Sequence, residues 1–289
     1  MKHIENALRY DRAKPGGLSH FDPAHRCGFL DKVDAEEKLL ADISEMAALQ
    51  DMLSAQKRYG LLLILQGMDS AGKDGVIKHV MSGVNAQAVS VHSFRQPSVE
   101  EASHDYLWRC ARVLPERGRI GIFNRSHYED VLITRVHQNL LGDDQDVAKK
   151  MGKAFWEDRY RDINHFEEYL LRNRIIPIKC FLHLSNDEQR KRLLSRLDDP
   201  KKQWKFSLGD LSQRPFWDDY VVAYEEMLNA TSTKSIPWYV IPADHKWVAR
   251  LAIADIVVHV LRSLDLAYPP LADEIRAAID QQRAALKAS

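Results

Sequence analysis

The feature that most constrains the fold is an apolar run at residues 61–65 that passes directly into a glycine-rich turn ending in Gly72 and Lys73. This order predicts a buried strand, a phosphate-binding loop and a helix. A Cβ at Gly67 or Gly72 would block either the turn or the approach of a phosphate. The helix N-terminus and the charge of Lys73 both attract an anion to this point. The residues predicted to contact phosphate are Gly67, Ser70, Ala71, Gly72, Lys73, Asp74 and Gly75.

Two carboxylates accompany this loop. Nucleoside triphosphatases usually place Ser or Thr after the lysine as a Mg²⁺ ligand, but this chain has Asp74 there and Asp69 inside the loop. Carboxylates beside a bound phosphate repel it unless a cation intervenes, so we predict that Asp69 and Asp74 bind Mg²⁺, with Asp69 as the main ligand. The alternative is that both residues only cap the helix and interact with its dipole.

A second polar cluster follows the strand predicted at residues 119–123. Arg125 suits forked contact with phosphate oxygens, whereas Asn124 supplies an amide group and no charge. Glu129, about one helical turn further on, is predicted to contact a nucleotide or a metal-bound water. The alternative is a capping box in which Ser126 begins a helix and Glu129 completes the box. That capping role does not exclude the functional one.

A basic segment at residues 186–212 follows the next predicted strand. Arg192 and Arg196 lie four residues apart and therefore share one face of a predicted helix. In phosphoryl-transfer enzymes of this architecture, a helical lid at this place brings arginines over the transferring phosphate, so we predict catalytic roles for Arg192 and Arg196 and leave the choice between them open. The basic residues predicted to bind phosphate after this helix are Lys201, Lys202 and Lys205. A solvated charged helix is the alternative, because acidic residues partly neutralise the segment.

The remaining periodicity predicts alternating strands and helices. Further strands are expected at residues 88–94, 175–184 and 236–241, and helices at 34–57, 98–114, 147–172 and after residue 268. This alternation predicts an α/β fold in which a mainly parallel sheet is covered on both faces, a three-layer α/β/α phosphate-loop domain with a helical lid. We expect a single domain made of an N-terminal arm and helix (1–60), a core with both motifs (61–185), the lid (186–212) and core-completing helices (213–289).

Composition excludes several classes of function. The formal charge is zero, with 41 basic and 41 acidic residues, so general attraction to nucleic acid or to an anionic membrane is not expected. The three cysteines lie too far apart for a typical zinc site or disulfide scaffold. No apolar run approaches the roughly 18 residues of a spanning helix and no signal-peptide pattern is present, so the expected compartment is the cytoplasm. Only His127 lies inside a site motif, and a phosphohistidine intermediate is therefore not expected.

At these residues the chain resembles the polyphosphate kinase 2 family, over about residues 21–268. The segments that carry the resemblance are 67–78, 123–131, 201–206 and 230–242. The resemblance implies a fold like that of thymidylate kinase, Mg²⁺ dependence and reversible transfer of the terminal phosphate of inorganic polyphosphate to a nucleotide. By that likeness, the first motif contributes Asp69 and Lys73, the second contributes Asn124, Arg125 and Glu129, and the lid contributes Arg192 or Arg196.

The resemblance also narrows the acceptor. Many family members have Asp where this sequence has Asn124, and Asn124 together with Glu129 looks more like the subgroup that phosphorylates both AMP and ADP, giving ADP and then ATP. Family members are commonly oligomeric, so we expect a homo-oligomer, a dimer or tetramer. Direct in-line transfer without a covalent enzyme intermediate is the expected mechanism. Two rivals remain open: an ATP-dependent nucleoside monophosphate kinase, and a non-catalytic phosphate-loop protein that binds a nucleotide or a partner.

Overall fold

The computed structural model describes residues 4–11, 16–206 and 208–288. Its strands are β1 (Gly60–Gly67), β2 (Val89–Ser93), β3 (Ile120–Asn124), β4 (Ile175–His183) and β5 (Trp238–Pro242). Its helices are α1 (Ile4–Leu8), α2 (Lys32–Gln56), α3 (Lys73–Val80), α4 (Val99–Ala102), α5 (Trp108–Ala111), α6 (Glu129–Val136), α7 (Asp144–Met151), α8 (Lys153–Arg172), α9 (Asn186–Asp198), α10 (Leu208–Ser212), α11 (Trp217–Thr231), α12 (Lys246–Arg262) and α13 (Asp273–Ala288). Within the described ranges, every helix is too short or too polar to cross a membrane.

The strands form one parallel sheet in the order β2-β3-β1-β4-β5. β1 lies at the centre, where Leu65 is in register with Asn124 of β3 and with Cys180 of β4. The carboxyl ends of β1 and β3 therefore lie side by side. Because the two polar motifs directly follow these two strands, they meet at one edge of the sheet, where open parallel sheets bind their ligands.

Alternate residues of β1 supply two separate cores. Leu61, Leu63 and Leu65 pack in a cluster with α2, α3 and α12, whereas Leu62 and Ile64 pack in a cluster with α6, α8 and α11. Side chains along a strand point alternately to opposite faces, so a central strand covered by helices on both sides has to be apolar throughout. The predicted three-layer α/β/α arrangement is confirmed.

The single helix predicted at residues 98–114 is wrong. The structure has two short helices there, α4 and α5. Ser98 and Glu101 form a capping box that begins α4, and the Asp105 carboxylate accepts a hydrogen bond from the backbone N–H of Leu107 at 3.0 Å just before α5. These side-chain bonds to nearby backbone groups offer the chain an alternative to a continuous helix.

Other helix boundaries differ from prediction for local reasons. The helix predicted at 147–172 begins earlier and is interrupted at Gly152, whose φ of 59° lies in the left-handed region. The N-terminal arm includes α1 and a 3₁₀ turn at Gly17–His20. The helix α2 begins at Lys32, two residues before the predicted start, and the Asp31 side chain caps it by accepting hydrogen bonds from the backbone N–H groups of Val33 and Asp34.

Candidate active site

The glycine-rich loop has the backbone geometry of an anion site. Gly67 and Gly72 have φ of 155° and 106°, and Ser70 between them has φ of 67°. A Cβ at Gly67 would lie 2.9 Å from the carbonyl oxygen of Leu182, so only glycine fits there. Gly72 begins α3 without a side-chain cap, and the first N–H groups of that helix are therefore left for a ligand.

Lys73 lies across the mouth of this loop. Its ammonium donates hydrogen bonds to the carbonyl oxygens of Gly67 at 2.6 Å and Met68 at 3.3 Å, and only 8% of the residue is exposed. Burial, followed by the nearby Arg125 charge, lowers the pKa of Lys73 to about 8. A phosphate in the loop would supply a counter-charge to Lys73 and stabilise its ammonium form.

Arg125 links the second motif to the first. Its guanidinium forms an ion pair with the Asp69 carboxylate at 2.5 Å and approaches Glu129 at 3.5 Å. The backbone of Arg125 has φ of 64°, which is unusual for a residue with a side chain, and its N–H donates to the carbonyl oxygen of Leu65 at 3.0 Å. This left-handed turn directs the side chain back toward the phosphate loop. Strained backbone of this kind is common at functional sites.

A second link joins Asn124 to Asp74. The Asn124 side-chain amide donates to the Asp74 carboxylate at 2.6 Å. Asp74 is exposed, whereas Asp69 is partly buried beside Arg125. Both loop carboxylates therefore face the second motif. Within the described ranges, no group of three or more His, Cys, Asp or Glu side chains could hold a metal ion without help from a substrate.

The capping-box alternative for Ser126 and Glu129 is wrong. The helix α6 begins at Glu129 itself, and the Ser126 hydroxyl accepts a hydrogen bond from the N–H of Tyr128 at 3.2 Å. The Glu129 carboxylate lies instead beside Arg125 and lines the pocket described below. The neighbouring Asp130 points to Arg109 at 3.5 Å, and burial raises the pKa of Asp130 to about 6.

The structure gives Arg192 a different role from the predicted one. All five N–H donors of its guanidinium are used within the protein. Nε donates to Glu188 at 2.8 Å, and Nη1 donates to the loop carbonyls of Ser70 and Ala71, both at 3.0 Å. Nη2 donates to the carbonyls of Ala243 and Asp244 after β5. Arg192 therefore holds the phosphate loop in place from behind and has no donor left for a transferring phosphate.

The other predicted lid cations lie on α9 and in the segment that follows it. Arg196 is half-buried one turn beyond Arg192 on α9. Lys201 is exposed, and the Lys202 ammonium contacts Asp199 at 2.8 Å, which lowers the pKa of that carboxyl. The side chain of Lys205 lies outside the described residues. Neither Lys201 nor Lys202 is among the described residues that line the pocket beside Asp69 and Arg125.

A pocket of about 190 Å³ opens beside the two motifs. It is lined by the polar side chains of Asp69, Arg125 and Glu129, by Trp217 and Tyr220 of α11, and by Arg214. The Arg214 guanidinium donates to Gln189 at 2.7 Å and to Asn186 at 2.6 Å. Gln189 in turn donates to the carbonyl oxygen of Asp69 at 3.0 Å, so the start of the lid helix is tied to the phosphate loop.

The sequence analysis did not identify Trp217, Tyr220 and Arg214 as residues of the pocket. Arg214 belongs to no motif and lies about ninety residues from Arg125, so only the fold brings the two together. A signal was present in the aromatic spacing: Trp217, Tyr220 and Tyr224 recur at helical intervals and all line the pocket. Such a stripe usually packs in a core, and Tyr224 is indeed buried.

Known proteins resemble this chain in sequence and in fold. The family described as Polyphosphate kinase 2 (PPK2) matches residues 29–268. The chain is 49% identical to a Rhodopseudomonas palustris protein named ADP-polyphosphate phosphotransferase, over 86% of each chain. It is 43% identical to a Meiothermus ruber protein named AMP/ADP-polyphosphate phosphotransferase, over 89% of this chain and 94% of the relative. The crystal structure of Polyphosphate Kinase 2 from Arthrobacter aurescens has a TM-score of 0.87 at 39% identity and covers 97% of both chains. This chain therefore belongs to the polyphosphate kinase 2 family.

Proposed function

We propose that this chain transfers the terminal phosphate of inorganic polyphosphate to AMP and ADP, giving ADP and ATP, in a reversible reaction. The observation that carries the proposal is the ion pair between Arg125 and Asp69, which joins the two motifs beside the phosphate loop. Lys73 and the N-terminus of α3 complete an anion site at the same sheet edge. A donor phosphate in the loop and an acceptor in the adjoining pocket would lie next to each other.

The chemistry that we propose is direct in-line transfer. The attacking atom is an oxygen of the acceptor's terminal phosphate, which is largely ionised at neutral pH and needs no strong base. Its attack on the terminal phosphorus of polyphosphate breaks the bridging P–O bond, and the shortened polyphosphate leaves with the electron pair. Lys73, the loop N–H groups and Arg125 stabilise the negative charge that spreads over the transferring group. A covalent histidine intermediate is not part of this mechanism, since the His127 side chain is fully buried.

The oxygen ligands in the site suit Mg²⁺. This ion is usually held by one or two carboxylates together with substrate phosphates and waters, and the Asp69 and Asp74 carboxylates with the Asn124 amide oxygen supply that donor set. Mg²⁺ bound there would neutralise charge on the donor and acceptor phosphates. The two loop carboxylates would otherwise repel both substrates, so we assign them as the metal ligands.

The pocket beside Arg125 suits the acceptor nucleotide. Trp217 and Tyr220 offer aromatic faces on which a base can stack, and Arg214 adds a cation to the lining of the pocket. Glu129, the first residue of α6, lies 3.5 Å from the Arg125 guanidinium. Asn124 carries no charge at the end of β3, which lowers the repulsion that a more negative diphosphate acceptor would meet. We therefore propose that both AMP and ADP are accepted.

Nucleotide chromatography tests this function directly. Purified protein with Mg²⁺ and long-chain polyphosphate is incubated separately with AMP and with ADP. ATP from ADP, and ADP followed by ATP from AMP, is the expected result. Product from ADP alone would reject the dual-acceptor proposal, and product only when ATP is added would point to an ATP-dependent kinase. Absence of product in every incubation would leave a non-catalytic phosphate-loop protein.

A further inference from the structure

A fully buried polar cluster lies next to the second motif. Its members are Tyr128, Glu167 and Lys179, of which at most 1% is exposed. The Tyr128 hydroxyl donates to one Glu167 oxygen at 2.6 Å. The Lys179 ammonium donates to the other Glu167 oxygen at 2.6 Å, to the Tyr128 hydroxyl at 3.1 Å and to the Thr231 carbonyl at 2.7 Å. Each of the three N–H groups of Lys179 therefore has an acceptor.

The cluster joins four elements of the fold. Tyr128 immediately precedes α6, Glu167 lies in α8, Lys179 in β4, and Thr231 at the end of α11. Trp238 of β5 extends the cluster, because its indole N–H donates to the Thr231 hydroxyl at 2.9 Å. The side chain of Tyr128 is thus held by hydrogen bonds to Glu167 and Lys179 and by an edge contact with the Trp238 ring, whose centroid lies 4.8 Å away.

A core can be filled at a lower cost in free energy than with such a cluster. Removing two charges from water costs several kcal/mol, and apolar side chains of similar volume often stabilise a protein equally well or better. The packing of β4 against α8 therefore does not need a lysine and a glutamate. A buried ionic network does restrict the chain to one arrangement, because any other arrangement leaves a charge without a partner.

The part of the chain that this network restricts is the turn between β3 and α6. Arg125 and Glu129 lie on either side of Ser126, His127 and Tyr128, within one short turn. Arg125 holds a left-handed backbone with φ of 64°, which its own side chain does not favour. Tyr128 is the residue of this turn that the buried ion pair holds by hydrogen bonds.

We propose that Tyr128, Glu167 and Lys179 are positioning residues that hold the turn so that Arg125 and Glu129 face the phosphate loop. This inference rests on the proposed roles of Arg125 and Glu129 in phosphate transfer. None of the three residues touches the substrate in this arrangement. They act through the backbone of the turn, and a loosened turn costs turnover because the arginine no longer meets the transferring phosphate in one geometry.

The variant Tyr128→Phe tests the proposal, since it removes one hydroxyl and keeps the ring. We expect kcat to fall about tenfold or more, while KM for polyphosphate stays within about twofold. The matched control is Tyr160→Phe: Tyr160 is also buried in this core, but its hydroxyl has no hydrogen-bond partner within the described residues. Its kcat is expected to match that of the wild type. Equal kcat in folded Tyr128→Phe and wild-type protein would overturn the proposal.

A second variant separates positioning from stability. A triple variant replaces the cluster with apolar residues: Tyr128→Phe, Glu167→Leu and Lys179→Met. It removes both charges and keeps much of the side-chain volume. We expect a folded protein whose thermal midpoint is near that of the wild type and whose kcat is lowered at least as far as in Tyr128→Phe. Wild-type kcat in this folded triple variant would also overturn the proposal.

A double-mutant cycle distinguishes this inference from the proposed function. If Tyr128 acts through Arg125, the losses in kcat caused by Tyr128→Phe and Arg125→Lys are less than additive in the double variant. Additive losses would contradict the positioning role of Tyr128 while leaving the proposed roles of the site residues intact. Full activity of Arg125→Lys and Arg125→Ala would instead refute the role of Arg125 in phosphate transfer. The positioning role proposed for Tyr128 would then lose its basis.

Discussion

Phosphate binding is predicted to be linked to proton uptake by Lys73. The pKa of this lysine falls from 10.5 to about 8 because its ammonium is buried and lies near Arg125. This shift means that charging Lys73 in the folded protein costs about 3 kcal/mol, since one pKa unit is about 1.4 kcal/mol. A bound polyphosphate supplies negative charge and favours the ammonium form. At pH 8.5, roughly three-quarters of the ligand-free protein holds a neutral Lys73, so binding takes up about that fraction of a proton.

The sign of this linkage also determines how stability changes with pH. The unfolded chain retains the Lys73 proton up to its ordinary pKa of 10.5, whereas the folded chain loses it near pH 8. Between these two values the unfolded state binds more protons, so this lysine makes the folded state more stable as pH rises. Ligand binding is expected to remove that dependence, because it raises the pKa of Lys73 toward its ordinary value.

Calorimetry in two buffers of different ionisation enthalpy measures the proton uptake. Long-chain polyphosphate is titrated into the protein without Mg²⁺ at pH 7.0 and 8.5, because its internal phosphates do not titrate in this range. We expect about 0.1 proton at pH 7.0 and about 0.7 at pH 8.5. Lys73→Arg is the matched control, since a guanidinium stays charged at both pH values. Equal uptake in both proteins, or none in wild-type protein that binds polyphosphate at pH 8.5, would refute the reasoning.

Three further predictions concern the loop, the lid and the pocket. Asp69→Asn should lower kcat by at least about a hundredfold at fixed Mg²⁺ and shift the Mg²⁺ dependence of the rate to higher concentration; an unchanged Mg²⁺ titration would exclude Asp69 as a ligand. Arg192→Lys should lower the free energy of unfolding in urea by about 3 kcal/mol, because the single ammonium cannot replace five hydrogen bonds to Glu188, to the phosphate loop and to the backbone after β5. A loss of less than about 1 kcal/mol would contradict that role. Trp217→Ala should raise KM for AMP and ADP about tenfold and leave KM for polyphosphate nearly unchanged, as measured by initial rates; the opposite pattern would place polyphosphate in the pocket.

The motifs and the fold class were predictable from sequence because they depend on local patterns. An apolar run followed by glycines and a lysine is compatible with few structures other than a strand, a phosphate loop and a helix. The prediction of a three-layer α/β/α fold is confirmed, as is membership of the polyphosphate kinase 2 family. Mg²⁺ as the metal, the homo-oligomer and the dual acceptor preference stay predictions.

The helices predicted at residues 98–114 and 147–172 show where prediction from local sequence patterns fails. Apolar periodicity continued across Asp105 and across Gly152, yet the helix is interrupted at both residues. At Asp105 a carboxylate binds the backbone, and at Gly152 the chain takes a left-handed conformation. Periodicity reports which residues face a core, but it does not register hydrogen bonds that compete with the helix.

The sequence by itself determined which groups are available to the site, whereas tertiary structure decided what each one does. Arg192 illustrates the difference: its helix and its charge could be predicted, but four of its five hydrogen bonds go to carbonyl groups in the loops that follow β1 and β5. Trp217 and Arg214 reach the pocket only because α11 packs beside α6. The physical reason is that a motif is a property of neighbouring residues, while burial, charge pairing and the shape of a pocket depend on residues that are far apart in the chain.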